Sequence, residues 1–239
     1  MAMQNRGKYP EPPAPGPIRA ESVPEAYRIQ DLLRHRCSIK RTIDTGEIRH
    51  IAGADAAYSG DKIFAAVVVL TFPGLKPVET ACSMQEIPFP YIPGLLSFRE
   101  GPAIVDAWSR LKTLPDVLFV NGHGYAHPKR FGIASHLGVV LDIPSVGVAQ
   151  HLLTGTAEMP CPDKGSATPI IDENEIIGMA VRTVTGSKPV FVSVGHRADL
   201  AQAVDLALRT ASRHRLTEPI RQADRLANQC RNEQAGTGT

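Results

Sequence analysis

The sequence predicts an α/β protein on a mixed central sheet, in which three antiparallel strands come first, parallel strands follow, and helices flank the sheet. Two observations carry this reading. Between residues 50 and 87, three runs of strand-forming residues succeed one another across short turns, the mark of a meander. Between residues 97 and 148 the pattern alternates helix, strand, helix, strand, as crossover connections between parallel strands require. A third observation bounds the size: 239 residues with 43% apolar and 21% charged side chains can bury one sizeable core.

In chain order, Pro10, Pro12, Pro13, Pro15 and Pro17 mark residues 1–20 as an extended, poorly ordered arm ahead of a single domain over residues 21–232. A first helix is expected from Pro24 to about Lys40, because Tyr27, Ile29, Leu32 and Leu33 recur at helical spacing. Strands follow at 50–58, 63–72 and 78–87, rich in Val, Ile, Thr and aromatic residues. Ser59-Gly60-Asp61 and Pro73-Gly74 form the turns between them. A helix over 97–111 opens on Ser97 with Glu100 three residues later, the spacing of a capping box. A strand at 116–120, a helix at 129–141 and a short buried strand at 145–148 come next. Three strands followed by α, β, α, β is the element order of the ribonuclease-H-like fold. The last third adds strands near 168–172, 176–184 and 190–194 and helices over 199–214 and 218–230. A Gly- and Thr-rich tail, 233–239, is expected to fray.

Composition excludes several function classes. No apolar run approaches the ~18 residues of a membrane span, and Met1-Ala2-Met3-Gln4-Asn5-Arg6 lacks the apolar stretch of a secretion signal. A cytoplasmic protein without a membrane partner is expected. Cys37, Cys82, Cys161 and Cys230 show no C-x-x-C spacing, which fits reduced thiols better than a disulfide frame or a zinc knuckle. The net charge of +2 does not advertise a polyanionic partner. Basic groups at Arg28, Arg34, Arg36, Lys40 and Arg41, at Lys129 and Arg130, and at Arg209, Arg213 and Arg215 read first as solvated faces.

Chemistry concentrates in three segments. Asp55 stands in the middle of the first strand among small residues, Ala54, Ala56 and Ala57. A carboxylate is costly to bury there, and small neighbours let a ligand or metal approach it. A strand-end Asp satisfied by backbone donors is the competing reading. Glu100 reads either as the second half of the capping box or as a second oxygen ligand beside Asp55 for Mg²⁺ or Mn²⁺, ions that favour carboxylate and water ligands. The loop before it, Pro90-Tyr91-Ile92-Pro93-Gly94, is stiff and presents an aromatic ring. Such a ring suits a wedge that fills the gap left by an extruded base; a core aromatic is the plainer alternative. Asn121-Gly122-His123-Gly124 follows an apolar strand, where α/β sheets carry their sites. His123, His127 and His136 invite a zinc reading, with His123 and His127 four apart, but Gly122, Gly124 and Pro128 argue against a helix that presents those two on one face.

Together these segments resemble the endonuclease V family. The resemblance runs over Phe89 to Pro102, Val120 to Val148, Lys188 to Arg197 and Glu218 to Asp224, with Asp55 in its strand. It spans about residues 25–230. The strings Pro90-Tyr-Ile-Pro-Gly-Leu-Leu-Ser-Phe-Arg-Glu100 and Ala126-His-Pro-Lys-Arg-Phe-Gly-Ile-Ala-Ser-His-Leu-Gly138 are long and of low degeneracy. The resemblance implies the ribonuclease-H-like fold, a Mg²⁺ cofactor (with Mn²⁺ as a substitute), and a monomeric DNA-repair endonuclease. Members cut the second phosphodiester bond 3′ of deoxyinosine, and some act on inosine in RNA. By that resemblance Asp55 and Glu100 are metal-binding acids and Asp224 sits near the metal. Tyr91 is the wedge; Gly94, Leu96 and Gly122 line the pocket for flipped hypoxanthine; His127 belongs to the active-site region.

Two positions depart from the family pattern. Asn121 stands where Asp is usual, and Gln150 where Lys is usual after the fifth strand. Asn121 can still offer a metal an amide oxygen, without the charge. The two changes cancel in net charge, so the acid and the lysine are expected to face each other. The sequence therefore supports an active endonuclease and, as an alternative, a homologue that holds deaminated bases and cleaves them poorly.

Overall fold

The computed structural model describes residues 18–40 and 43–235. The arm expected at 1–20 lies mostly outside the described residues, as does the end of the tail, 236–239. Ile18, which the proline pattern assigned to the arm, is instead buried in the core.

Helix α1 (Val23–Leu33) is capped by Ser22, whose Oγ accepts from the Glu25 N–H. It ends seven residues before the expected Lys40, in a single 3-10 turn, Arg34–Arg36. Cys37 is already extended, and its thiol donates to the Gly195 carbonyl. The buried residues of α1 are Ala26, Gln30 and Leu33, whereas Leu32 is exposed. The spacing i, i+4, i+7 is a correct helical stripe. Its centre is polar, which hid it from a pattern drawn through apolar residues.

The meander forms as expected: β1 (His50–Ser59), β2 (Lys62–Thr71) and β3 (Pro77–Glu86) pair antiparallel. Helix α2 (Leu96–Ser109), β4 (Val117–Asn121), α3 (Ile133–Leu141) and β5 (Ser145–Ala149) follow. The capping box does not form. Leu95 is the N-cap residue without a side-chain bond, and Ser97, inside the first turn, meets His136 Nδ1 at 3.0 Å. Helix α3 starts four residues later than expected, because residues 129–132 turn back, with the Arg130 N–H donating to the His127 carbonyl. The last third holds β6 (Thr156–Ala157), β7 (Ala167–Asp172), β8 (Glu175–Val181) and β9 (Val190–His196), then α4 (Leu200–Thr210) and α5 (Glu218–Ala235). Strand β6, two residues long, is too short to leave a periodic signature. Helix α5 runs five residues beyond the expected Cys230 and into the expected tail.

The nine strands of the described residues form one mixed sheet in the order β3-β2-β1-β4-β5-β9-β8-β7-β6. The β1–β4 and β4–β5 pairs are parallel and the rest antiparallel. Helices α2 and α3 cover one face through Ala52, Ala54, Val67 and Leu118. Helices α4 and α5 cover the other through Ile51, Phe119, Val146 and Val192. This is the ribonuclease-H-like α/β arrangement. Among the described residues no helix is long and apolar enough to cross a membrane.

The thiol reading is corrected for one pair. Cys82 of β3 and Cys230 of α5 form a disulfide across 148 residues of sequence, beside the small buried residues Ala57, Ala66 and Ala227. Cys37 and Cys161 are free. Nothing in the spacing announced the pair, because the return of α5 over the meander alone brings them together.

Candidate active site

Parallel pairing between β1 and β4 ends at Ala54–Val120, so Asp55 and Asn121 lie just past the last paired residues. There the two strands part, the place where open α/β sheets carry ligands. The Asn121 amide donates to Asp55 Oδ2 at 3.0 Å, and the Ala56 N–H donates to Oδ1 at 2.9 Å. On the same strand face, Gly53 lets α5 come within atomic contact. A Cβ on Gly53 would lie 2.0 Å from the Pro219 carbonyl oxygen. Helix α5 also carries the exposed Asp224, whose Oδ1 accepts from Asn228 at 2.9 Å and whose charge is felt at Asp55.

Glu100 arrives on α2, from the opposite face, and is buried like Asp55. Tyr58 of β1 donates its hydroxyl to Glu100 Oε1 at 2.7 Å, and the Arg99 guanidinium lies 4.8 Å from the Tyr58 ring centroid. Burial pushes the Asp55 carboxyl up to about 7, and the charge of Asp224 adds to the rise. Burial pushes Glu100 up to about 8, against the Tyr58 hydrogen bond and with the help of the Asp55 charge. Burial raises both carboxyls and the charge of Asp55 raises Glu100 further, so a cation beside them would relieve the same cost that a proton relieves. Among the described residues no three His, Cys, Asp or Glu form a metal cluster. The donor set is two carboxylates and the Asn121 amide, which can turn its oxygen inward. That set fits Mg²⁺, which keeps several waters and takes one or two carboxylates; it does not fit a closed zinc site.

Beside the parting strands lies a cavity of about 270 Å³. Tyr91, Gly94, Leu96, Asn121, Gly122, His127, Ile133 and Gln150 line it. Of these residues, Tyr91 is 68% exposed on its loop. Gly94 has φ +85°, a left-handed conformation that glycine adopts without strain. His127 is buried, and both its ring nitrogens are engaged. Nδ1 accepts from the Lys129 N–H at 3.1 Å, so Nε2 carries the proton and donates to the Gly94 carbonyl at 3.0 Å. Burial lowers its pKa to about 4. The neutral ring thus bonds to Gly94 on one side and to the Lys129 turn on the other. The other two histidines are placed separately, His123 Nε2 against the His151 carbonyl and His136 against Ser97, so the zinc reading has no geometric support.

Asn121 and Gln150 do line one cavity, but they do not bond to each other. Gln150 Oε1 accepts from Arg215 Nη1 at 3.4 Å, and the Gln150 carbonyl accepts from Arg215 Nη2 at 2.7 Å. Arg215 Nε and Nη2 also donate to the Pro189 carbonyl. A positive charge thus stands one side chain behind the cavity wall. Tyr58 and Gln30 escaped the sequence reading, and Arg215, taken there as part of a solvated basic face, instead bonds to Gln150 and Pro189. Tyr58 alone carried a local signal, an aromatic hydroxyl three residues after a strand acid.

The family model for endonuclease V matches residues 31–225. Endonuclease V of Roseiflexus sp. (strain RS-1) is 49% identical over 208 residues, covering 87% of this chain and 92% of its own. The crystal structure of endonuclease V from Streptomyces avermitilis superposes with a TM-score of 0.87 at 39% identity, over 90% of this chain and 96% of that one. Endonuclease V of Ciona intestinalis, in complex with a 24mer DNA containing an inosine followed by a ribo-adenosine, superposes with a TM-score of 0.77 at 25% identity. That match covers 90% of this chain and 99% of the other. With a family model matched over most of its length and a relative 49% identical across 87% of it, this chain belongs to the endonuclease V family.

Proposed function

We propose that the protein is a Mg²⁺-dependent repair endonuclease that flips deoxyinosine out of DNA and hydrolyses the second phosphodiester bond 3′ of it. The observation that carries this reading is that Asn121 lines the cavity of about 270 Å³ and bonds to the buried Asp55 behind it. Charge for phosphate chemistry and room for a base occur at one point of the sheet. Hypoxanthine differs from guanine by a missing amino group, a difference best sensed with the base out of the stack.

Each side chain then has a task. Tyr91 fills the gap left in the stack. Gly94, Leu96 and Gly122 let the base approach the backbone, and His127 holds Gly94 in place. Asp55, Glu100 and Asn121 would hold the metal, with Asp224 beside them; when bound, it supplies charge for the phosphate and activates water. Tyr58 orients Glu100. Gln150, backed by Arg215, offers its amide N–H groups near the phosphate where a lysine would offer charge.

The test is incubation of an inosine-containing duplex with the protein and Mg²⁺ or Mn²⁺, with Asp55→Ala as the blank. A nick at the second bond 3′ of inosine is expected. Cleavage no greater than the blank, with either metal, would refute the assignment. An inosine RNA run in parallel tests whether the sugar matters.

A further inference from the structure

Gln30 is a polar residue on the buried face of α1, and it is completely inaccessible to solvent. Its Nε2 donates to the Gly94 carbonyl at 2.8 Å and to the Phe131 carbonyl at 3.3 Å. Its Oε1 is buried without a hydrogen-bond partner. Gly94 lines the cavity from the loop that carries Tyr91. Gly132 and Ile133, directly after Phe131, line it from the start of α3. One side-chain amide therefore ties together two segments of the cavity wall, 64 and 101 residues away in sequence. The helix that supplies it contributes nothing to the lining itself. Packing does not account for this residue. Its neighbours on the stripe, Ala26 and Leu33, are apolar, and a buried amide oxygen without a donor is costly.

We propose that Gln30 is a positioning residue for base selection, setting the separation of the Gly94 and Phe131 segments and so the tolerance of the cavity for purines. This rests on the functional reading above. Excluding guanine from a hypoxanthine cavity means refusing one extra amino group, which requires walls held to less than the width of that group. His127 donates to the same Gly94 carbonyl, from the same segment of chain as Phe131. The His127 bond is therefore one direct tie between the two walls, and Gln30, bonded to both, is the second. Without Gln30 the separation of the walls rests on the single His127 bond.

The experiment compares wild type with Gln30→Met, which fills the same space but cannot donate. Cleavage of inosine and of guanine duplexes of one sequence context is measured as kcat and KM, alongside Tm. The expected result is a loss of inosine-over-guanine discrimination of roughly tenfold or more, the scale of one misplaced contact in a site built around hydrogen bonds. The loss should appear mainly in KM for inosine. A purely structural role would lower Tm and leave the ratio unchanged, and an unchanged ratio overturns the inference. Should Gln30→Met fail to fold, Gln30→Asn keeps the amide but cannot reach both carbonyls, and it carries the same expectation. A wild type without inosine selectivity overturns the functional reading and this inference with it. A selective wild type matched by its Gln30 variant overturns this inference alone.

Discussion

Asn121 bonds to Asp55 through an amide N–H where a carboxylate would repel it, so the pair is stable without a cation. Replacing Asn121 by Asp restores a third negative charge and is expected to raise the rate of inosine cleavage, by tenfold or more if a lost electrostatic contact is regained. Gln150→Lys by itself should do little, since it sets an ammonium near Arg215 with no new acid to pair with. The double variant should exceed either single, the non-additivity of neighbours that share a cavity. Equal rates in all four proteins would mean that the two amides do not limit catalysis. Tyr91 makes the complementary case. Its ring is mostly exposed, so Tyr91→Ala should cost under about 1 kcal/mol of stability while lowering preference for inosine over undamaged duplex. A large fall in Tm, with selectivity intact, would contradict a wedge.

At the scale of elements, the site depends on how closely α5 lies on β1. The contact is backbone on backbone at Gly53 and Pro219, so it has no flexible side chain to yield. Gly53→Ala is therefore expected to destabilise the protein by a few kcal/mol, or a Tm drop on the order of 5 °C or more. It should also slow cleavage, because displacing α5 moves Asp224. Thermal melts and cleavage assays on the same preparation check both effects; a fully stable variant would show that α5 can shift freely. The edges of the elements show where local pattern fails. Helix α1 stops at Leu33 and the expected cap at Ser97 is absent because Cys37 and Ser97 have found tertiary partners, Gly195 and His136. Periodicity located the elements but did not foresee these competing bonds.

For the whole molecule, two sets of buried groups set the pH dependence of stability with opposite sign. Asp55 and Glu100 are raised from 3.8 and 4.5 to about 7 and about 8 by burial. Their contribution is fully present below the ordinary values and is lost as pH rises through the raised ones. His127 and His196 are lowered from 6.5 to about 4, again by burial. Their contribution is present above pH 6.5 and is lost as pH falls toward 4. The two effects oppose each other between about pH 4 and 6.5, and above that range only the acids act. The Tm of metal-free protein should consequently fall from pH 6.5 to pH 8. Mg²⁺ should raise Tm more at pH 8 than at pH 6.5, and Asp55→Asn should remove much of the decline. A Tm flat across this range without metal would mean that the two acids are not protonated as their burial requires.

What the sequence alone determined was the order of strands and helices and the sheet they build, and it singled out the residues that bear charge or bend the backbone at the candidate site. Period-2 and period-3.6 patterns are local, and an acid in a small-residue strand is conspicuous because burying it is costly. The low-degeneracy strings around Tyr91 and His127 added the pocket. The tertiary structure decided which distant residues hold that site in shape. Tyr58 reaches Glu100 across 42 positions, Gln30 reaches Gly94 across 64, Arg215 reaches Gln150 across 65, and Cys82 meets Cys230 across 148. Such contacts leave no mark on local periodicity. They exist because the sheet order and the return of α5 bring those positions together, and only once the chain has folded do the polar groups have partners to choose.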